Sequence, residues 1–505
     1  MELSGTLIET GPQAPAQGSF VGGRDEAPVG PGLEVVDPAT SRRIGRIAEA
    51  GEAGVERAVA AAQAALPAWR ATPARDRAAL VNELAGRIAA KADELAALDS
   101  LDTGNPLAAM RGDLAKGVRN MREAVGLALE VKGETFALPG LHYTAREPWG
   151  LVARLITYNH PAMYAAQRIG TALVAGNCLL LKPSELAPLS SLAIARLSAG
   201  LLPDGVLNVV IGGPPTGEAL VRHPAIGRLT FTGSTTTALR IQAAAAASGH
   251  LKALSFELGG KNPIVVFPDV DPDEVAAAIV RGMNFTRVQG QSCGSTSRLV
   301  IHASLAEDVL GRVVARARSI RVGLPSDPET EMGSMISRAA RDRCVGMVER
   351  AVADGARVLT GGRALLDGPL AEGAFLEPTV VDRTAPGSEL ADSEVFGPVL
   401  AAMTFETEEQ AVALADAGPY GLTAAIWTQD IDRAFRVAGA IEAGYVWIND
   451  VETRFPAVPF GGWGDSGLGL EHGLEEILSL TRTKAVNVRL RPNPQPPSHP
   501  SPRPS

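Results

Sequence analysis

Between Leu151 and Phe267, short apolar runs (LVARLIT, CLLLK, VLNVVIG, RLTFTG, PIVVF) alternate with helical segments such as SSLAIARLSAG and GEALVRH. This is the pattern of βα units around a parallel sheet. A second α/β series runs from Leu299 to about Val446 through RLVIH, ARVLTGG, FLEPTVV and LTAAIWT. Two α/β domains in tandem is the architecture to expect, and 505 residues are in any case too many for one compact core. Ahead of both, Gly54 to Leu101 repeats apolar residues at three- and four-residue spacing, in GVERAVAAAQAAL and ARDRAALVNELAGRIAAKADELAAL, which reads as amphipathic helices. The end of the chain, RPNPQPPSHPSPRPS, is mostly Pro, Ser and Arg. Such a segment cannot bury a core and is expected to be disordered.

Charge narrows the partners. Lys and Arg number 47 against 56 Asp and Glu, a net −9, with no block of basic residues, so neither a nucleic-acid nor an anionic-membrane surface is expected. The start MELSGTLIETG lacks a basic segment followed by an apolar run, and the longest apolar-leaning stretch, Ile169 to Leu181, is broken by Gly, Thr and Asn. A soluble, cytoplasmic protein follows as the expectation. Cys178, Cys293 and Cys344 are odd in number and far apart, without CxxC or Cys/His metal spacing, so neither a disulfide framework nor a metal site is expected.

Cys293 lies in QGQSCGSTSR, among Gly, Gln, Ser and Thr instead of the apolar neighbours of a structural cysteine. A working thiol needs polar surroundings, and Gly290 and Gly294 would let backbone approach a reacting carbon. In FELGGKNP, Glu257 follows the strand-like ALSF and precedes a Gly pair. Apolar neighbours favour the neutral carboxyl and move its pKa toward the range of a general base. Asn159, after LVARLIT in TYNHP, carries a side-chain NH2 able to stabilise an oxyanion. Thiolate, base and oxyanion donor together make an acyl-transfer site. Taken singly, each has a plainer reading as a packed thiol, a capping acid or a turn residue.

A nucleotide side is also legible. LLLKPSE places Lys182 and Glu185 just beyond a buried strand, where open α/β sheets bind ligands. FTGSTTTA sets Gly233 and Ser234 between a strand and a helix, whose free N–H groups and dipole suit a pyrophosphate. The three-glycine dinucleotide fingerprint is absent.

TYNHP, GNCLLLKPSE, FTGST, FELGGKNP, QGQSC, SEVFGPV and PFGGWGDSGLGLEHG occur in the order and approximate spacing of the aldehyde dehydrogenase superfamily, which the chain resembles over nearly its whole length. The resemblance implies an α/β fold with a Rossmann-like NAD-binding domain over 1–128 and 151–258 and a second, catalytic α/β domain over 259–473. It also implies a small β oligomerisation element from 129–150 and 474–491, and a disordered tail at 492–505. Carried over position by position, Cys293 is the nucleophile, Glu257 the base, and Asn159 with the Cys293 backbone N–H the oxyanion donors. Lys182 and Glu185 would hold the adenosine ribose, Gly233 and Ser234 would lie by the pyrophosphate, Glu394 would bind the nicotinamide ribose, and Phe396 would pack beside it. The implied reaction oxidises a small-molecule aldehyde to a carboxylic acid through a thiohemiacetal and a thioester, in a homodimer or homotetramer. NAD is expected over NADP, because the Glu185 carboxylate would repel a 2′-phosphate, an effect that Lys182 partly offsets.

The aldehyde pocket departs from similar broad-range enzymes, which line it with aromatic residues. Here His160, Gln167, Arg287 and Arg454 are expected there, with Tyr164 and Phe460 nearby. Two arginines at the mouth would clamp a carboxylate and favour a polar or acidic substrate such as a short semialdehyde, unless Arg454 pairs with Glu452. Further departures are Arg168 for a common Lys, Ala238 for Gly, Gly464 for Lys, Leu470 for Arg, and two extra residues between Glu257 and Cys293. A CoA-acylating semialdehyde dehydrogenase is the alternative enzyme, although similar acylating enzymes usually lack the carboxylate at Glu257. An inactive nucleotide-binding scaffold would tolerate loss of Cys293 or Glu257, and both are present.

Overall fold

The computed structural model describes residues 7–490. Five strands of the first sheet run parallel: Leu151–Leu155, Cys178–Lys182, Leu207–Val209, Arg228–Thr232 and Ala253–Glu257. The chain lays Leu151–Leu155 in the middle, adds the next two strands on one side, then crosses back to set Arg228–Thr232 and Ala253–Glu257 on the other. Such a reversal opens a crevice beyond the carboxyl ends of the strands that flank it. Leu151–Leu155 and Cys178–Lys182 are buried at every position, which explains why they read as nearly unbroken apolar runs and not as alternating ones. Short antiparallel strands close the edges, Phe20–Val21 with Arg24–Asp25 at one end and Gly467–Leu468 at the other.

The amphipathic region expected between Gly54 and Leu101 forms three helices, Gly51–Ala71, Ala74–Ala90 and Ala92–Thr103, and a fourth follows at Leu107–Ala128. Their inward residues keep helical spacing, as in Val81, Leu84, Ala85 and Ile88, and join the core of the first sheet around the fully buried Trp69.

The second sheet has seven strands in the order Arg357–Thr360, Thr379–Asp382, Val399–Phe405, Arg298–His302, Pro263–Val266, Thr423–Trp427 and Tyr445–Ile448. All neighbours are parallel except the first pair. PIVVF, which in the sequence continues the first series, belongs to this sheet: the chain leaves the first sheet at Glu257 and enters the second at Pro263. Residues 258–262 carry the chain from the first sheet to the second, and residues 449–466 carry it back to Gly467–Leu468 at the first sheet's edge.

A small antiparallel sheet stands apart. Thr481–Val488 pairs with Leu141–Pro148 over eight residues, with Thr135–Phe136 outside it. Among the described residues, no helix is long and apolar enough to cross a membrane, and no cluster of His, Cys, Asp and Glu could hold a metal ion. The stretch expected to be disordered, 492–505, lies outside the described residues.

Candidate active site

Three cavities adjoin one another, and Cys293 lines the middle one. One of about 500 Å³ is walled on one side by residues at the carboxyl ends of first-sheet strands, including Asn159, Gly233, Ser234 and Glu257. On its other side it is walled by loops that lead into the second sheet, through Cys293, Glu394 and Phe396. A second cavity of about 690 Å³ shares Thr157, Thr232 and Gly233 with the first and runs past Lys182 and Glu185 along the helix Thr235–Ala247. The shared residues flank the sheet's reversal. A third, of about 50 Å³, shares Tyr164 with the first and is reached from the flanking residues Ser292 and Gly294.

Cys293 is a free, half-buried thiol. Asn262 holds its loop: Nδ2 donates to the carbonyls of Cys293 (2.7 Å) and Ser295 (2.9 Å), while Oδ1 accepts from the Thr423 N–H (3.1 Å) on the second sheet. Burial pushes the thiol's pKa up, the Arg454 guanidinium pulls it down, Glu257 and Glu394 add to the rise, and the Tyr164 hydroxyl opposes it. The backbone N–H of Cys293 donates to no acceptor among the described residues. Asn159 Nδ2 donates one hydrogen bond to the Gln291 carbonyl (2.8 Å), which leaves its second N–H free. Glu257 ends its strand buried, with Oε1 lacking any hydrogen-bond partner. Burial raises its pKa to about 8, against the pull of Arg168 and Arg454.

The two loop glycines do a different task from the one expected. Gly290 has φ +69°, and a Cβ there would lie 2.2 Å from the Gly397 carbonyl; a Cβ on Gly294 would strike the Arg454 guanidinium. They make room for neighbouring protein, not directly for the reacting carbon. Between the helix Pro272–Gly282 and the cysteine lies a separate turn, Phe285–Val288, flanked by left-handed Asn284 and Gln289.

On the nucleotide side, Ser234 caps the helix Thr235–Ala247, its hydroxyl accepting from the Thr237 N–H. Lys182 Nζ donates to the Pro183 carbonyl (3.1 Å) and stands 3.6 Å from the Glu185 carboxylate. Glu394 Oε1 accepts from the Gly260 N–H (3.1 Å), and burial lifts its pKa to about 7. A Cβ on Gly259 would collide with the Glu394 carboxylate at 2.2 Å. Phe396 takes φ +49°, unusual for a bulky residue, and meets Tyr158 edge to face at 6.0 Å.

Of the residues expected at the aldehyde pocket, His160, Tyr164, Gln167, Arg287 and Arg454 line the third cavity, and Phe460 lies under Arg454 with its ring 4.0 Å from the guanidinium carbon. The two-arginine clamp needs correction. Arg287 is already engaged, 2.6 Å from the buried Asp113 and 3.8 Å from Glu452, and Glu452 pairs with it and not with Arg454. His160 Nδ1 lies 2.5 Å from the other Asp113 oxygen. Lys116, Asn120 and His472 also line this pocket and were not expected there. Their only sequence signal is the i, i+3, i+7 spacing of Asp113, Lys116 and Asn120 along the helix Leu107–Ala128.

Beneath the site lies a buried ion cluster. Arg154 donates to Glu476 (2.7 Å), and Arg168 touches Glu471 and stands 3.4 Å from Glu476. Burial would raise the Glu476 carboxyl, but Arg154 and Arg168 hold it well below the usual range. The other departures, Ala238, Gly464 and Leu470, line none of the three cavities.

The model of the aldehyde dehydrogenase family matches residues 26–486. Aldehyde dehydrogenase tropH of Talaromyces stipitatus is 40% identical over 468 residues, 90% of each chain. A betaine aldehyde dehydrogenase of Cereibacter sphaeroides is 38% identical over 95% of this chain and 98% of its own. Among solved structures, PnpE in complex with nicotinamide adenine dinucleotide is 40% identical with a TM-score of 0.90, covering 95% of this chain and 99% of that one.

Proposed function

The chain belongs to the aldehyde dehydrogenase family, and from that premise we propose that Cys293, Glu257 and Asn159 carry its oxidation of an aldehyde to a carboxylic acid. The observation that supports this most is that these three residues, from segments far apart in the chain, wall one cavity together with Gly233, Ser234, Glu394 and Phe396.

The Cys293 thiolate attacks the carbonyl carbon; a C–S bond forms and the π pair moves to oxygen. The free Asn159 N–H and the backbone N–H of Cys293 stabilise that charge. Glu394 and Phe396 would hold a nicotinamide dinucleotide beside this carbon, where it would supply the hydride acceptor; once the hydride has left, the oxygen's pair re-forms the carbonyl as a Cys293 thioester. Glu257, once ionised, removes a proton from water as the water oxygen adds to the thioester carbon. Collapse of that adduct expels the thiolate and releases the acid. A CoA-acylating enzyme would gain nothing from a base aimed at water, so the buried Glu257 carboxyl favours hydrolysis.

The contiguous cavities fit an elongated dinucleotide. The N-terminus of the helix Thr235–Ala247 suits its pyrophosphate, Lys182 and Glu185 one ribose, and Glu394 the other. The Glu185 carboxylate favours NAD over NADP. Assembly as a homodimer or homotetramer is proposed to run through the small sheet of Leu141–Pro148 and Thr481–Val488, whose side chains are mostly exposed or half-buried. The acceptor pocket, lined by charged and amide side chains, favours a polar or carboxylate-bearing aldehyde.

The test is NADH formation across succinic semialdehyde, betaine aldehyde, benzaldehyde and hexanal, with NAD or NADP, beside Cys293→Ala. Oxidation with NAD that disappears in the variant is the expected result. Equal NADH formation by the variant would remove Cys293 from the mechanism.

A further inference from the structure

The acceptor pocket carries more positive charge than its own carboxylates balance. Lys116, Arg287 and Arg454 line it, with Glu452 beside them and Asp113 buried behind. Arg287 engages both acids, and His160 takes the second Asp113 oxygen. Burial would raise the Asp113 carboxyl, yet His160 and Arg287 hold it down at about 2, so it stays ionised and committed to them. Lys116 and Arg454, by contrast, make no ion pair and no hydrogen bond among the described residues; Arg454 stacks on the Phe460 ring and lies against Gly294. Burial, with repulsion from Arg454 and Arg287, depresses the Lys116 ammonium to about 8. Asp113 and Glu452 offset part of that repulsion without forming an ion pair to either cation, and a bound anion would relieve the rest.

The neutral groups around them are equally uncommitted. Asn120 is buried with Oδ1 unpartnered, the buried Gln167 amide makes no side-chain hydrogen bond, and His472 Nδ1 is buried without a partner. His472 also takes φ +63°, a strained conformation for a non-glycine residue. Buried polar groups ordinarily find partners within the protein, so several converging on one pocket without them point to a ligand.

We infer that Lys116 and Arg454 together receive the carboxylate of an anionic aldehyde, with the Gln167 amide as a further donor, and that Arg287 is a positioning residue tied to Asp113 and Glu452. The inference rests on the reading of Cys293 as the reacting thiol. Arg454 packs against Gly294, the residue after Cys293, so the carboxylate lies a short chain away from the aldehyde carbon, as in a short ω-carboxy aldehyde.

The test compares succinic semialdehyde with butanal, a neutral aldehyde of the same carbon count, in the wild-type enzyme and in Lys116→Met, Lys116→Arg and Arg454→Met. Alongside it, succinate binding is measured by calorimetry, which needs no turnover. The expected result is that Lys116→Met and Arg454→Met each lower the acid-to-neutral ratio of kcat/KM by about 10- to 100-fold and weaken succinate binding by a similar factor, as loss of a charge-assisted hydrogen bond does. Lys116→Arg should restore most of both. Turnover of butanal with no preference for the acid, and equal losses on both substrates in the variants, overturns the inference and leaves the dehydrogenase reading standing. No turnover of any aldehyde with succinate binding that depends on Lys116 does the reverse. Neither turnover nor binding overturns both.

Discussion

Where the crevice proposed for a dinucleotide is walled by strand ends, glycines and two helices, the proposed acceptor pocket across Cys293 from it is walled by side chains from two helices and three further segments. The crevice is large because the sheet's reversal leaves room there whatever the side chains are. The pocket is about 50 Å³ because Lys116, Arg287, Arg454 and Glu452 crowd it. On the proposed function, backbone geometry carries the part of the reaction common to any aldehyde, and side-chain charge carries the choice among aldehydes.

The largest effect that would break this division comes from Cys293→Ala. Aldehyde oxidation should fall by roughly 10,000-fold or more, while NAD affinity, read by protein fluorescence, stays within about twofold. A parallel loss of NAD affinity would mean that the two sides are not separately built. Next is Glu257→Gln, which should leave a burst of about one NADH per active site followed by turnover slowed about 100- to 10,000-fold, seen by stopped-flow absorbance. Because the Glu257 carboxyl is raised to about 8 and acts when ionised, wild-type steady-state turnover should climb from pH 6 through a midpoint near pH 8 and level off about a unit above it. The variant should lose that rise.

On the acceptor side, Asp113→Asn removes the charge that holds His160 and Arg287. Arg287 is partly exposed and can recover some hydration, so the expected destabilisation is about 1–3 kcal/mol in urea unfolding. An unchanged midpoint would mean that the pocket's bracing lies elsewhere. The smallest effect sharpens the crevice side: Glu185→Ala should raise kcat/KM for NADP by about 10-fold relative to NAD, since one carboxylate near a ribose is a modest barrier.

The crevice was legible in the sequence because each of its parts is contiguous. LLLKPSE, FTGST and FELGGKNP each hold a strand, its turn and the functional residue within a few positions, so local chemistry fixes the outcome. The pocket was only half legible. Lys116 and Asn120 sit on a helix where a charge reads as a solvated face, and the pairing that removes Arg287 from the clamp joins residues 174 apart in sequence. The strand pattern alone ran PIVVF on with the first series, since strand character is local and sheet partners are not; the boundary at 259 that sets it in the second domain came from the family resemblance. Asn262 lay in plain sight within FELGGKNP, yet its hold on the Cys293 loop exists only once that loop folds back 31 residues onto it.

The link between the sheets has one more consequence. Glu257 ends the last long strand of the first sheet, and five residues later Asn262 grips the carbonyls on either side of the Cys293 turn. The proposed base and the loop of the proposed nucleophile are thus fixed by the same short segment. A substitution that displaces residues 258–262 is expected to disturb both at once, whereas Asn262→Ala should loosen the Cys293 loop and leave Glu257 at its strand end.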